Sequence, residues 1–198
     1  MNKLFSAKVL LVAVCSLAGA FAWGQQDKSL SKQATSFLDV AVTYNAMPSN
    51  TVSTNNFWMQ GGNVQVHGQF WRGLGLVGDF SILHTGNEHG SGVGLDMMTI
   101  TFGPRYTWTA PHHRYSLFGQ ALGGEAIGYN SVFPFATGAK SSDSDVALKI
   151  GGGVNVPVTR NFAVRALEAD WMRTQLVNST NNVQNNLRLG AGVVWRFD

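Results

Sequence analysis

Residues 187–197 read Leu-Arg-Leu-Gly-Ala-Gly-Val-Val-Trp-Arg-Phe, and apolar side chains recur there at every second position. Successive side chains of an extended strand point to opposite faces, so this stretch would have one apolar and one polar face. The apolar face carries Leu187, Leu189, Ala191, Val193, Trp195 and Phe197, and the other carries Arg188, Gly190, Gly192 and Arg196. About ten residues are enough for a tilted strand to cross a bilayer. The stretch therefore predicts a two-faced strand of membrane-spanning length.

The same alternation returns along the chain in segments of similar length. A less regular segment contains Arg165 and Glu168, which have opposite parity. Both can share a face only if a β-bulge lies between them, near Ala166 and Leu167. The remaining segments are 38–45, 63–70, 74–82, 98–108, 114–127 and 146–156. With the final stretch, they predict eight strands.

The connections between these segments alternate in length. Short ones fall at 72–73, 110–113 and 159–161, and long polar ones at 47–56, 85–92, 130–144 and 175–185. Bacterial outer-membrane barrels have short periplasmic turns and longer external loops. If the chain starts in the periplasm, every short connection lies on the periplasmic side. The pattern predicts an all-β fold, an eight-stranded antiparallel up-and-down transmembrane β-barrel.

Composition agrees with strands that contact lipid. Only 13% of the residues are charged and 44% are hydrophobic, yet no apolar run after the first 25 residues is long enough for a membrane helix. A soluble, lipocalin-like barrel would instead turn its apolar face inward around a ligand. The outward orientation is favoured because the polar face is rich in small residues that fit a narrow lumen. Aromatic residues also gather at the strand ends, as they do at membrane interfaces.

The first residues have the organisation of an export signal. Lys3 and Lys8 precede a short apolar stretch, and small residues allow cleavage after Gly24 or after Ala22. We therefore divide the chain into a cleaved signal peptide (1–24), an N-terminal lead (25–35) and an outer-membrane barrel domain (36–198). The apolar stretch is too short for a transmembrane anchor. The lone cysteine, Cys15, lies within the predicted signal.

Three stretches carry a resemblance to a known family: Phe102-Gly103-Pro104-Arg105-Tyr106, Phe118 to Gly124, and the final strand. Over about Ser36 to Phe197, the chain resembles the small porin-like outer-membrane β-barrel domains, which include the OmpA transmembrane domain and OmpX. The resemblance implies a monomer in the outer membrane of a Gram-negative cell, surrounded by outer-membrane lipids. It also implies that the barrel-assembly machinery reads the last strand during biogenesis, with Gly192, Trp195 and Phe197 as its signal.

The lumen face is predicted to carry charges of both signs. They are Asp39, Asp79, Arg105, Glu125, Lys149, Arg165, Glu168, Asp170, Arg188 and Arg196. Glu125 is included because it alternates with Gly119, Ala121 and Gly123, which leaves Gln120 on the apolar face. Mixed charges in a confined interior are costly unless they pair, so we expect a structural network of ion pairs. Closure of the barrel brings the last strand beside the first, and Asp39 is therefore the expected partner of Arg196.

These observations favour a structural or surface-interaction protein without catalytic activity. The alternatives are a narrow small-solute porin and, third, a barrel enzyme that modifies lipid. The sequence holds no serine-nucleophile motif and no ligand spacing of a metal site, so no catalytic, cofactor or metal residue is predicted. Basic residues are scattered singly, which argues against a nucleic-acid partner. The sequence names no external ligand.

Overall fold

The structure is a computed structural model that describes residues 38–49, 57–86, 93–111, 114–136, 138–178 and 182–197. The predicted signal peptide (1–24) and lead (25–35) lie outside these ranges and remain predictions. Among the described residues, no helix is long and apolar enough to cross a membrane.

Eight strands form one sheet that closes on itself, as the sequence predicts. Each strand pairs antiparallel with its neighbours in the chain, and the first pairs with the last, with Leu38 opposite Phe197. A closed sheet leaves no edge, so the backbone groups of every strand can be paired within lipid. The strands are β1 (Leu38–Ser49), β2 (Phe57–Trp71), β3 (Leu74–Thr85), β4 (Leu95–Thr109), β5 (Ser116–Phe135), β6 (Gly138–Pro157), β7 (Phe162–Thr174) and β8 (Gln184–Phe197).

The apolar face of the sheet points outward. Phe102 is 60% exposed and Ile150 is 56% exposed, whereas polar side chains such as Asn63 and Gln65 are buried inside. In water, such an outer surface would be an apolar patch far larger than soluble monomers carry. It matches the lipid-facing band of a transmembrane barrel, and the expected outward orientation is confirmed.

The short connections lie at one end of the barrel. Between β2 and β3, the two residues Arg72 and Gly73 have φ values of 37° and 91°. A two-residue hairpin loop of this kind requires positive φ at both positions, which glycine adopts without strain. The other short connections join β4 to β5 and β6 to β7 at the same end, and the chain termini of the barrel also lie there.

The register of β7 contains the expected irregularity. The pairing of β7 with β8 shifts register between Arg165 and Glu168, and the pairing of β7 with β6 shifts register at the same place. A bulge adds one residue to one strand, so residues of opposite parity can face the same way. The predicted bulge near Ala166 and Leu167 is confirmed.

The connection between β5 and β6 differs from the expected loop over 130–144. Both strands continue well past Tyr129, with Phe133 opposite Lys140 and Phe135 opposite Gly138. Residues 130–136 and 138–144 therefore form the two strands of a β-hairpin that continues beyond the paired ends of β4 and β7; we call it the outer hairpin. The Lys140 ammonium lies 4.5 Å from the centre of the Phe135 ring, and this cation–π contact helps to hold its tip.

Candidate functional site in the barrel lumen

The middle of the lumen is filled by charged side chains that alternate inward from several strands. Each of these side chains is at most 2% exposed. No two of them are adjacent in sequence. Two glutamine side chains, Gln65 and Gln120, are buried among them. We call this set the lumen network, and its charged members are Asp79, Arg105, Lys149, Arg165, Glu168, Asp170 and Arg188.

Arg188 of β8 lies at the centre of the acidic part of the network. Its Nη2 atom is 2.5 Å from Asp170 Oδ2 and 3.1 Å from Glu168 Oε1, both on the neighbouring strand β7. The same atom lies 3.5 Å from Asp79 Oδ2 on β3. Asp79 is also bound to the ammonium of Lys149. These contacts join four strands, so the ion pairs cross the lumen rather than follow one strand.

Two further arginines stack on one aromatic ring. The guanidinium carbons of Arg105 and Arg165 lie 4.4 Å and 4.5 Å from the centre of Phe118. Arg165 also contacts Glu168 at 2.7 Å. Arg105 instead donates to the side-chain oxygens of Gln65 and Gln120. A ring face and amide oxygens thus offset part of the cost of burying the Arg105 charge.

The two glutamines connect the basic and the acidic parts. The Gln65 oxygen accepts from Arg105 and Arg165, while its amide nitrogen donates to Asp79 and Glu168, each at 2.7 Å. Gln120 similarly donates to Asp170 at 3.0 Å. The predicted site contains charged residues alone, so it omits Gln65, and the predicted parity of β5 places Gln120 on the opposite face. The ability of both amides to donate and accept at once is what the network uses.

Glycines on the inner face of β6 provide the space that these side chains occupy. A Cβ atom at Gly151 would collide with the Asp170 carboxylate and with the backbone of Ala169. One at Gly153 would collide with the Phe118 ring. The lumen of an eight-stranded barrel is only just wide enough for its side chains, so large residues on one strand require small residues opposite.

Asp39 and Arg196 lie nearer the end of the barrel that carries the short connections and are only partly buried. They are register partners on β1 and β8, as the closure of the barrel predicts. Asp39 also contacts Nδ1 of the buried His67 at 3.1 Å, and Arg196 reaches Ser116 across the lumen at 3.5 Å. His67 was not among the predicted site residues. The coupling of Asp39 to Arg196 stays a prediction.

The prediction was wrong for Glu125. Gln120 and Leu122 of β5 are buried, whereas Gly119 and Glu125 are exposed on the outer face. The physical reason is that Gln120 lies level with Arg105 and hydrogen-bonds to the network, which fixes the inward parity of β5 as far as the register shift after Tyr129. Glu125 therefore faces outward, opposite Ile100.

The outer end of the lumen holds an apolar cluster that the sequence reasoning did not identify. Its buried members are Met47, Phe57, Met59, Leu83, Leu95, Met97, Phe133, Met172 and Leu176, and we call it the outer apolar cluster. Met59, Leu83, Leu95, Met97 and Met172 lie on the inner face because they share the parity of the lumen residues on the same strands, and Phe133 faces inward after the register shift of β5 that follows Tyr129. A polar lumen was expected throughout, and the inward parity of Leu83 and Met97 was the available signal for an apolar layer.

The charges of this interior largely balance one another. The network contains four cations and three anions, so most charges are neutralised by a neighbour. Four buried side-chain nitrogens, Arg165 Nη2, Arg188 Nη1, His67 Nε2 and Asn186 Nδ2, have no hydrogen-bond partner among the described residues. Among the residues that the structure describes, no group of three or more His, Cys, Asp or Glu side chains is arranged to hold a metal ion.

No protein-family model matches this sequence, and no curated protein sequence matches it. Solved structures do match the fold. Neisserial surface protein A is 15% identical with a TM-score of 0.62, and the match covers 82% of this chain and 98% of that chain. OprG from Pseudomonas aeruginosa is 7% identical with a TM-score of 0.52, covering 83% and 98%.

A third similar structure is Ail, the attachment invasion locus protein of Yersinia pestis, in complex with the heparin analogue sucrose octasulfate. It is 20% identical with a TM-score of 0.51, and the match covers 80% of this chain and 97% of that chain. At such identities the likeness concerns the fold. The chain thus has the fold and the lipid-facing surface of an outer-membrane β-barrel protein.

Proposed function

We propose that this protein is a non-conducting outer-membrane barrel that acts through its outer end, as a structural or surface-interaction protein without catalytic activity. The observation that carries the proposal is the filled lumen. Arg165 and Arg188, the two largest fully buried side chains, lie across its middle, and the outer apolar cluster covers them. Ions would have to break buried ion pairs and then cross an apolar layer.

The outer end offers surfaces for contact. The outer hairpin continues past the neighbouring strands, and Val132 on it is 51% exposed. Trp58, at the start of β2, is 53% exposed at the same end. Exposed aromatic and apolar groups on projecting elements are features of protein contact sites. These features support an interaction role and do not name a partner.

An anionic ligand such as the heparin analogue of the Ail structure is not what this outer end favours. Asp96, Asp143 and Asp145 lie near the outer ends of β4 and β6, while Lys140 and Arg173 are the basic residues described there. With more acidic than basic groups, this region would attract a sulfated ligand only weakly. We therefore propose no polyanion binding for this chain.

Conductance in planar bilayers tests the closed lumen. We expect the wild-type protein to give no unitary conductance steps. The comparison is the triple variant Arg165→Ala, Arg188→Ala and Phe133→Ala. It removes the two largest buried lumen side chains and the largest fully buried side chain of the outer apolar cluster, and it leaves Glu168 and Asp170 without arginine partners. Unpaired carboxylates in a widened lumen would draw in water and cations, so this variant should give cation-selective steps.

Steady conductance of the wild-type protein would favour the narrow porin instead. A lipid-modifying enzyme is tested separately, by comparing the lipid A composition of cells with and without the gene. An unchanged composition is expected from a protein without catalytic activity. A new acylation or deacylation product that depends on the gene would contradict it.

A further inference from the structure

Methionine is concentrated at one place in this molecule. Apart from Met1, the chain has five methionines, and four of them belong to the outer apolar cluster: Met47, Met59, Met97 and Met172. All four are 0% exposed. The fifth, Met98, points to the outer face of β4, where Ile82 and Ile127 are its register partners.

The four side chains come from four strands and converge inside the barrel. Met47 of β1 lies directly opposite Met59 of β2 in the register. Met97 lies on β4, opposite Leu83, and Met172 lies on β7, opposite Asn186. They thus approach from different sides of a closed ring into a single packed cluster. An eight-stranded barrel has room for little more than its side chains, so the flexible thioethers of this cluster can meet within the lumen.

A group of thioethers in an apolar pocket has a specific metal preference. Thioether sulfur is a soft ligand that selects Cu(I) and its close analogue Ag(I), whereas Mg²⁺ and Ca²⁺ require oxygen ligands. Among the buried polar residues at this end of the lumen, Asn186 lies opposite Met172, and Ser49, Thr85 and Gln184 are also neutral. No buried carboxylate therefore competes with the thioethers there, and the sulfur ligands are those that soft cations prefer.

The charges around the cluster are compatible with a bound cation. Asp145 and Asp143 lie on β6 at inward-facing positions toward the outer mouth, and the Asp143 carboxylate accepts a hydrogen bond from the Val177 backbone at 2.6 Å. Two carboxylates at the mouth would raise the local concentration of cations. The nearest cation below the cluster is Lys149, the register partner of Met172, and its ammonium is bound to Asp79.

We propose that the outer apolar cluster binds one soft monovalent metal ion, Cu(I) or Ag(I), through the thioethers of Met47, Met59, Met97 and Met172. The alternative role of these side chains is to fill an irregular core, which flexible methionine also does well. The two roles differ in one measurable respect. A metal site responds to one equivalent of a soft ion, and a packed core does not.

The test uses Ag(I), which needs no reductant, and the protein as purified from membranes. Cys15 lies in the predicted signal peptide, and Cys15→Ser removes the thiol from any uncleaved chain. With ¹³C-methyl-methionine labelling, one equivalent of Ag(I) should shift the methyl resonances of the four cluster methionines and leave that of Met98 in place. The double variant Met97→Leu with Met172→Leu nearly conserves volume, and it should weaken Ag(I) binding at least ten-fold. The matched control, Met98→Leu, should bind as the wild type does.

X-ray absorption of the silver-loaded protein supplies the ligand identity. Sulfur neighbours around silver are expected, and a shell of nitrogen or oxygen alone would place the ion on histidines or carboxylates and overturn the proposal. Wild-type spectra that do not change with Ag(I), or a shift of Met98 equal to that of the others, would also overturn it. Because these readouts use the wild-type protein, they hold even if the leucine variant folds poorly. None of them depends on whether the lumen conducts.

Discussion

At the scale of single residues, burial decides what each lumen charge contributes. Arg188 is 1% exposed and contacts three carboxylates, whereas Arg196 is partly exposed near the periplasmic mouth. A buried charge that loses its partner has no water to replace it, while an exposed charge does. An ion pair of Arg188 should therefore contribute much more to the free energy of unfolding than an ion pair of Arg196.

Two double-mutant cycles test this difference. Asp170→Ala should destabilise the barrel by about 1.5–3 kcal/mol, because Arg188 loses its nearest carboxylate and keeps Glu168 and Asp79, and the losses from Asp170→Ala and Arg188→Ala should be less than additive. The cycle of Asp39→Ala with Arg196→Ala should show coupling of less than about 1 kcal/mol. Urea unfolding in detergent measures both. Additive losses in the first cycle would show that Asp170 and Arg188 are not coupled.

At the scale of elements, β7 shows how one extra residue keeps two charges inside. Arg165 and Glu168 are separated by three positions, so a regular strand would turn one of them toward lipid. The bulge at Ala166 and Leu167 absorbs the extra residue on both sides of the strand. Removal of one residue at the bulge would leave Arg165 and Glu168 two positions apart. In a regular strand, side chains two positions apart point to the same face.

We accordingly expect deletion of Ala166 to be tolerated, although deletions within membrane strands are generally disruptive. The matched control is deletion of Ala169, also in β7 but in regular register opposite Gly152. That deletion makes Glu168 and Asp170 neighbours and forces one carboxylate toward lipid, at a cost that prevents folding. The gel mobility of unheated and heated samples distinguishes folded barrels from unfolded chains. Loss of the folded form on deletion of Ala166 would contradict the prediction.

At the scale of the whole molecule, the sheet has two unlike ends. The short connections lie at one end, and the outer hairpin continues beyond the barrel at the other. A two-stranded hairpin outside a larger sheet is only marginally stable, so it opens more easily than the barrel wall. The orientation of the barrel in the membrane therefore has a simple readout.

Trypsin added to intact cells should cleave after Lys140 in the outer hairpin. Arg72, Arg114 and Arg160, at the ends joined by short connections, should be protected because they face the periplasm. Mass spectrometry of the fragments locates the cut, and Lys140→Gln should abolish it. Cleavage at the three arginines with Lys140 intact would reverse the assigned orientation.

The sequence alone determined the number of strands, their order, the outward apolar face and the bulge in β7. Each of these follows from local alternation, because every strand meets lipid on one side and the lumen on the other whatever its neighbours are. Alternation was ambiguous only where both faces carry small residues, as around Glu125, and there the predicted face was wrong.

Only the tertiary structure decided which residues meet inside the barrel. Lys149 reaches Asp79 between β6 and β3, and four methionines from distant parts of the chain belong to one cluster. Such contacts depend on the stagger between strands that closes the sheet, which fixes the height of each residue relative to those across the lumen. The stagger is a property of all eight strands together, and no single segment of sequence contains it.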